Sequence, residues 1–566
     1  MSQMRVIVVG GVAGGASAAA RLRRLSEDAE ILVFERGPHV SFANCGLPYY
    51  IGGEITREKD LLVQTPKGLH SRFNLDVRVL SEVTAIDRDK KEVTVRKVET
   101  GETYTERYDA LVLSTGAAPM RPPIPGIDRP GQFVLRNVPD TMAIDAWIRD
   151  HHARRAVVVG GGYIGLEMAE QLHRRGLQVS VVEALPQVLA ILDPEMAEFL
   201  HVELRSNGVD LHLSDAVASF EAPADPKEAA ASVVVLKSGT RLPADIVILG
   251  IGVKPEAGLA KDAGLEIGKL GGVRVDDRMQ TSDPSIWAVG DCVEVRHVVT
   301  GAWMLIPLAG PANRQGRIAA DNIMGRDSRY RGTLGTGVLR VFGRAAAGVG
   351  ANERMLRAEG IPYQVVHLHP ASHAGYYPGA EQISIKLLFA PGDGKLLGAQ
   401  AVGGDGVDKR IDVLSTALSA GMTVRDLVHL ELAYAPPFGS ARDPVNLAGM
   451  VAENVLDGLV SVVQWHEVED IDPHDTVLLD VRQPDECKHG CLPGAIRIPL
   501  PQLRERLGEL PKDKELLVYC HAGQRSYYAC RMLAQRGFRC RNLTGAYVTW
   551  ANRPRGARAA APKHVR

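Results

Sequence analysis

No stretch of this chain reaches the roughly 18 uninterrupted apolar residues of a membrane-crossing helix. The opening Met1 to Gly11 runs into glycine after four apolar residues, too short a run for a signal peptide. A cytoplasmic protein is expected. Excess charge is missing too: 66 Lys and Arg stand against 67 Asp and Glu, so no long-range field draws nucleic acid or an anionic membrane. Only the end after Trp550 is locally basic, through Arg553, Arg555, Arg558, Lys563 and Arg566. Cysteine is scarce, with seven in 566 residues, and the odd count and the length argue against a disulfide framework. Cys487, Cys491, Cys530 and Cys540 are separated by 3, 38 and 9 residues and form no pair of short Cys-x2–4-Cys hairpins, so no metal site is expected. What remains is an ordinary globular composition, 45% apolar and 23% charged, in a chain long enough for about three to five domains.

One pattern occurs twice. From Val6 to Glu35, and again from Val157 to Glu183, an apolar run leads into a glycine cluster, a helical stretch and a second apolar run that ends in an acid. This reads as strand, turn, helix and strand, the arrangement that sets a pyrophosphate on a helix N-terminus. Two bound nucleotides are implied. The second copy is complete, with Gly160 for the turn, Gly162 for close approach of the phosphates and Gly165 for helix packing. The first keeps the outer glycines Gly10 and Gly15 but has Val12 in the middle place. Glu35 and Glu183 are placed to accept from ribose hydroxyls. Glu183 favours NADH over NADPH, because a 2'-phosphate would meet its charge.

Two further signals are Leu113-Ser114-Thr115-Gly116 and the run from Thr281 to Asp291, a strand that ends in a Gly-Asp turn. Together with the glycine loops they resemble the flavin-binding signatures of the pyridine nucleotide-disulfide oxidoreductases, over about residues 4 to 450. The resemblance implies FAD beside the nicotinamide cofactor, with Gly116 in the FAD site and Asp291 on the ribityl chain. It implies a split FAD domain (1–120 and 246–326), an NAD(P) domain (121–245) and a dimerisation domain (327–450) that makes a homodimer. A linker (451–466) then leads to residues 467–552, where Val477 to Arg482, Pro493 to Pro499 and Val518 to Ser526 resemble a rhodanese domain; a basic tail (553–566) follows. The expected fold is α/β: two Rossmann-like domains, an α+β dimerisation domain and an α/β rhodanese domain.

Cys45 lies in Ser41-Phe42-Ala43-Asn44-Cys45-Gly46-Leu47-Pro48-Tyr49-Tyr50. Dithiol reductases of the family carry a second cysteine where this chain has Tyr50, so Cys45 is expected to work with an external thiol through a mixed disulfide, persulfide or sulfenate. The stretch resembles the coenzyme A-disulfide reductases, and the whole chain their rhodanese-fused branch, which includes NADH-dependent persulfide reductases. A His in the first glycine loop, typical of single-cysteine peroxidases and oxidases, is replaced by Ala13. The His-Glu dyad of glutathione reductase-like enzymes is absent from Ala433 to Arg442, leaving tyrosine, water or substrate to supply protons. The resemblance implies that Tyr376 and Tyr434 approach the partner subunit's substrate thiol. It also implies that Ser17, Arg21, Arg24, Ser41, Asn44 and Arg442 hold coenzyme A. Electrons are expected to pass from NADH through FAD to Cys45, whose pKa the flavin and a nearby helix N-terminus are expected to lower.

Cys520 ends an apolar strand and precedes a helix, so the loop's N–H groups can converge on its sulfur. From Cys520 to Arg525 the loop has six residues, one fewer than cysteine phosphatases need around a phosphate, which suits sulfur transfer. Cys520 is expected to carry a persulfide and Arg525 to stabilise the thiolate or orient an anionic donor, while Asp480 and Arg482 support the fold. Cys487 and Cys491 are candidates for redox regulation near that loop. The chain reads as an FAD-dependent, NAD(P)H-driven reductase of CoA persulfide, polysulfide or CoA disulfide, with sulfane sulfur fed by Cys520. Two alternatives remain: an NADH oxidase or peroxide reductase cycling through a Cys45 sulfenate, and a sulfur carrier with a redox-sensing flavin platform.

Overall fold

The computed structural model describes residues 4–223 and 231–554, so most of the basic tail lies outside the described residues. The chain forms two compact units, Met1–Val188 with Asn207–Gly335, and Leu189–Ser206 with Thr336–Arg566. Among the described residues no helix is long and apolar enough to cross a membrane.

The first unit is built on two five-stranded sheets. One orders its strands Ile286–Ala288, Ala110–Leu113, Arg5–Val9, Glu30–Phe34 and Asp76–Arg78, all parallel. Its central strands are buried almost throughout, as parallel strands covered on both faces require. The helix Ala13–Leu25 packs against Ala309–Ile323 so closely that a Cβ on Gly316 would lie 2.2 Å from the Gly14 carbonyl oxygen. The other sheet orders Asp210–Leu213, Gln178–Glu183, Arg155–Val159, Ile246–Leu249 and Gln132–Phe133, again parallel. Ile246–Leu249 therefore completes the sheet of the second glycine loop. The boundary expected at 245/246 falls one strand early, because a short buried strand has the same apolar signature whichever sheet it joins.

The second unit contains an antiparallel sheet of Gly337–Val341, Arg344–Gly350, Leu396–Gly403, Ile383–Phe389 and Gln364–Leu368. It also holds a parallel sheet of Ser461–Val463, Cys540–Leu543, Glu515–Tyr519, Thr476–Asp480 and Ile496–Arg497. The edge strand Ser461–Val463 comes from the stretch expected to be a linker. The helix Pro194–Ser206, from a segment expected in the NAD(P) domain, belongs to this unit. Beside it, Lys386 is fully buried and meets Asp193 Oδ2 at 2.8 Å, Glu195 Oε1 at 2.5 Å and Glu353. Burial opposes the charge on Lys386, but the three carboxylates outweigh it and hold the ammonium well above its ordinary pKa.

The two sheets of this unit are joined through buried polar contacts. The His367 N–H donates to Thr544 Oγ1 at 2.8 Å. His369 bridges Ser384 Oγ and Thr549 Oγ1, each at 2.9 Å. The N–H groups of Tyr547 and Val548 in turn donate to the carbonyls of Cys520 and His521, so the loop expected to carry sulfur rests on a segment anchored to the antiparallel sheet.

Candidate active site

Both glycine loops have the shape the sequence implied. A Cβ on Gly15 would sit 1.8 Å from the Gly10 carbonyl oxygen, and one on Gly165 1.9 Å from that of Gly160, so each helix starts against its own turn. A Cβ on Gly162 would meet nothing within 4 Å, which leaves backbone open to a phosphate. The acids at the strand ends are oriented alike: Glu35 accepts from the N–H groups of Gly11 at 2.9 Å and Gly37 at 2.8 Å, and Glu183 from those of Gly161 and Leu185, each at 2.7 Å. Val12, in the middle place of the first loop, has φ −101°, outside the left-handed region that requires glycine.

Asp291 sits in the turn Gly290–Cys292 at the end of the Ile286–Ala288 strand. Burial pushes its carboxyl up to about 6, against the pull of Arg136. It takes part in no hydrogen bond among the described residues. A half-buried carboxyl without a protein donor, beside a glycine turn shaped for a pyrophosphate, fits a hydroxyl-bearing dinucleotide such as FAD. Gly116, with φ +73° and open space where a Cβ would be, opens the same region.

Cys45 is exposed, in the turn Asn44–Gly46 that runs into the short helix Leu47–Ile51. Ser41, four residues earlier, has φ +45°, and its N–H donates to the Gly11 carbonyl at 2.8 Å, tying the cysteine segment to the first glycine loop. The expectation of a lowered Cys45 pKa rests on the flavin and a nearby helix N-terminus, and the chain's own groups act the other way. Partial desolvation of the sulfur by the surrounding chain, then Glu167, then Asp291 all push its pKa up, so the chain's own groups oppose the thiolate. A five-residue helix contributes too little dipole to reverse this.

Glu167 was not anticipated from sequence. It lies one turn into the helix Tyr163–Arg174, Tyr49 Oη donates to its Oε1 at 3.2 Å, and burial raises it to about 7. The acidic residue four places after Tyr163 was the available signal. The site thus holds a carboxyl that carries a proton near neutral pH, a function the sequence assigned only to tyrosine, water or substrate. Glu167→Gln removes a negative charge facing Cys45 and is expected to lower the thiol's pKa. The pH dependence of Cys45 alkylation by iodoacetamide checks this; an unchanged or higher value would contradict it.

The residues expected to hold coenzyme A differ in availability. Arg24 is exposed, whereas Arg21 is paired with Asp321, at 2.8 Å from Nε and 2.7 Å from Nη2. Ser17 Oγ donates to Asn313 at 2.5 Å. In the second unit Arg442 is exposed, and the exposed Tyr376 and Tyr434 meet hydroxyl to hydroxyl at 3.0 Å. The structure therefore brings the two tyrosines together although they lie 58 positions apart in the sequence.

Cys520 directly follows the strand Glu515–Tyr519 and is almost fully buried. The Gly523 N–H donates to its sulfur at 3.1 Å, and Ser526 Oγ lies 3.4 Å away. The helix Gln524–Ala534 starts two residues before Ser526. Arg525 forks onto Glu486 through two 2.6 Å contacts, and this fork, against the opposing effect of burial, holds the Glu486 carboxyl down to about 2. Glu486 was missed because it comes from a separate turn, Pro484–His489. Arg482 and Asp480 form a buried ion pair at 2.7 Å, with Arg482 over the Tyr547 ring at 4.3 Å.

Comparison with known proteins identifies the family. Residues 4–316 match the family described as pyridine nucleotide-disulphide oxidoreductase, residues 340–444 its dimerisation domain and residues 465–553 the rhodanese-like domain. Coenzyme A disulfide reductase of Staphylococcus haemolyticus is 37% identical over 454 residues, 80% of this chain and 100% of that protein. NADH oxidase of Methanocaldococcus jannaschii is 38% identical over 458 residues, 81% and 99% of the two chains. Among solved structures, reduced Bacillus anthracis CoADR-RHD has 50% identity and a TM-score of 0.95, covering 98% of each chain. The NAD-dependent persulfide reductase from A. fulgidus has 40% identity and a TM-score of 0.89, covering 97% of this chain and 100% of that one.

Proposed function

Because the chain belongs to the pyridine nucleotide-disulphide oxidoreductases and carries a rhodanese-like domain, we propose that it is a homodimeric, FAD-dependent, NADH-driven reductase of CoA persulfide and related polysulfides, with CoA disulfide as a second substrate. The observation that carries the reading is a single cysteine, Cys45, with Tyr50 in the second redox position, on the same chain as the six-residue loop from Cys520 to Arg525. A reductase of CoA disulfide alone has no use for a sulfur-transfer loop.

FAD, when bound, supplies the two-electron relay between nicotinamide and sulfur. The chain's residues do the rest. Gly160, Gly162 and Gly165 seat the NADH pyrophosphate and Glu183 its ribose; Gly10, Gly15 and Glu35 do the same for FAD, with Asp291 on its sugar alcohol. Cys45 attacks the substrate's sulfur–sulfur bond and holds one half as a mixed disulfide or persulfide while the other half leaves. Glu167 holds a proton beside this exchange. The Tyr376–Tyr434 hydroxyl pair offers hydrogen bonds to a sulfur anion without losing a proton. Ser17, Arg24, Ser41, Asn44 and Arg442 are offered to coenzyme A, and Arg21 joins them on leaving Asp321. Cys520 carries sulfane sulfur, with Gly523 N–H, Ser526 and Arg525 around it.

Anaerobic NADH oxidation tests the reading. Wild type is expected to turn over both free CoA persulfide and a mixture of thiosulfate and CoA, whereas Cys520→Ser keeps the first activity and loses the second by at least tenfold. NADH consumption that requires oxygen would instead favour the oxidase reading, and no turnover at all the carrier reading.

A further inference from the structure

Cys487 and Cys491 are half-buried and lie outside the machinery proposed above. They flank a turn at Gly490, where φ is +112°. Their sulfurs are drawn to two side chains that are register partners on adjacent parallel strands, Asp480 and Arg497. Cys487 Sγ donates to Asp480 Oδ2 at 3.5 Å, and Arg497 Nη2 donates to Cys491 Sγ at 3.1 Å. One sulfur is therefore set against a carboxylate as a thiol, and the other against a guanidinium that a thiolate would satisfy. Both also act electrostatically on Arg497. A nucleophile beside a cation with a protonated partner thiol within one turn is the arrangement of an attacking and a resolving cysteine.

We propose that Cys487 and Cys491 are a second thiol site, a dithiol that reacts with the sulfur–sulfur bonds of small disulfides and polysulfides and closes into an intraloop disulfide. Cys491 attacks RS–SR, forming Cys491–S–SR and releasing RS⁻. Cys487 then displaces the second RS⁻ and forms the Cys487–Cys491 bond. The two thiol protons leave with the two RS groups as RSH, so the dithiol is oxidised by two electrons and RS–SR is reduced by two. Closure draws Cys487 off Asp480 and the Gln483 carbonyl. Its neighbour Glu486 is both the capping acid of the same turn and the acceptor of the Arg525 fork. The site thus reports the supply of disulfide or polysulfide to the loop that holds Cys520.

The sequence provides the assay, because Lys488 lies between the two cysteines. Trypsin separates them into peptides 483–488 and 489–497, which only a Cys487–Cys491 disulfide keeps joined. Full-length protein is treated anaerobically with glutathione disulfide or, in a parallel arm, sodium tetrasulfide. The joined peptide is expected in wild type. Cys487→Ser is expected to stop at a glutathione adduct on Cys491, and Cys491→Ser to give neither adduct nor link. The rate at which thiosulfate loads sulfur onto Cys520, read by mass spectrometry, is expected to fall at least threefold on closure. It should return with reductant and stay constant in the double serine variant. Failure of both reagents to join the peptides, a Cys530–Cys540 link in their place, or an adduct on Cys487 in Cys491→Ser would overturn the proposal. None of these readings depends on what Cys45 reduces.

Discussion

Cys45→Ser is expected to abolish NADH-driven reduction of CoA persulfide and CoA disulfide, with a loss of roughly a thousandfold or more, while FAD content and flavin reduction by NADH stay intact. The first unit's other cysteine cannot take over. Cys292, the nearest in the first unit's sequence motifs, is fully buried, and burial raises its thiol above the ordinary range. Serine keeps the size of the side chain, and nothing in the glycine loops or at Asp291 depends on the sulfur, so cofactor binding has no reason to change. Anaerobic stopped-flow spectra separate the two half-reactions: flavin bleaching by NADH at the wild-type rate, followed by no reoxidation on adding CoA disulfide. Reoxidation within tenfold of the wild-type rate would place the redox sulfur elsewhere.

Lys386→Met is expected to cost the second unit about 3 to 5 kcal/mol, the usual consequence of removing one member of a buried ion cluster. Methionine approximates the volume but leaves Asp193, Glu195 and Glu353 facing one another within 4.8 Å. The compensation they retain is incomplete: Arg357 reaches Glu353 at 2.9 Å, His367 Nε2 lies 2.9 Å from Glu195, and Gln400 donates to Asp193 at 2.7 Å. Burial works against ionisation of Glu195, yet Lys386 and His367 hold its carboxyl well below the usual range. Without the ammonium that balance tips towards protonation or unfolding. Urea denaturation followed through the second unit's tryptophans measures the loss. Glu353→Gln in the same background is expected to recover at least 1 kcal/mol. A single variant within about 1 kcal/mol of wild type would show that the cluster is not under the stress described.

Much of this architecture was readable before any coordinates, because the dinucleotide units are local. Strand, glycine turn, helix and acidic strand end occupy about thirty consecutive residues, and the structure puts Glu35 and Glu183 on the N–H groups of their own turns. What escaped was non-local or concealed by its own chemistry. Lys386 and its three acids are drawn from three separate stretches, and each alone reads as a surface charge. Ile246–Leu249 has the composition of any buried strand, so its sheet could not be assigned. Glu167 and Glu486 are ordinary helix and turn acids in sequence. Only the approach of Tyr49 and Arg525 gives them a function. The thiol of Cys45 shows the reverse case: its position was evident from motif, while the sign of its surroundings required knowing which carboxylates fold beside it.

The central claim is that Cys45 takes its redox partner from an external thiol. Wild-type enzyme mixed anaerobically with CoA disulfide, quenched in acid and mapped by mass spectrometry tests it most directly. The Cys45 peptide should carry one coenzyme A as a mixed disulfide, and prior addition of NADH in excess should return it to the free thiol. A Cys45 that stays unmodified, or that appears only as a sulfenate after exposure to oxygen, would contradict the account.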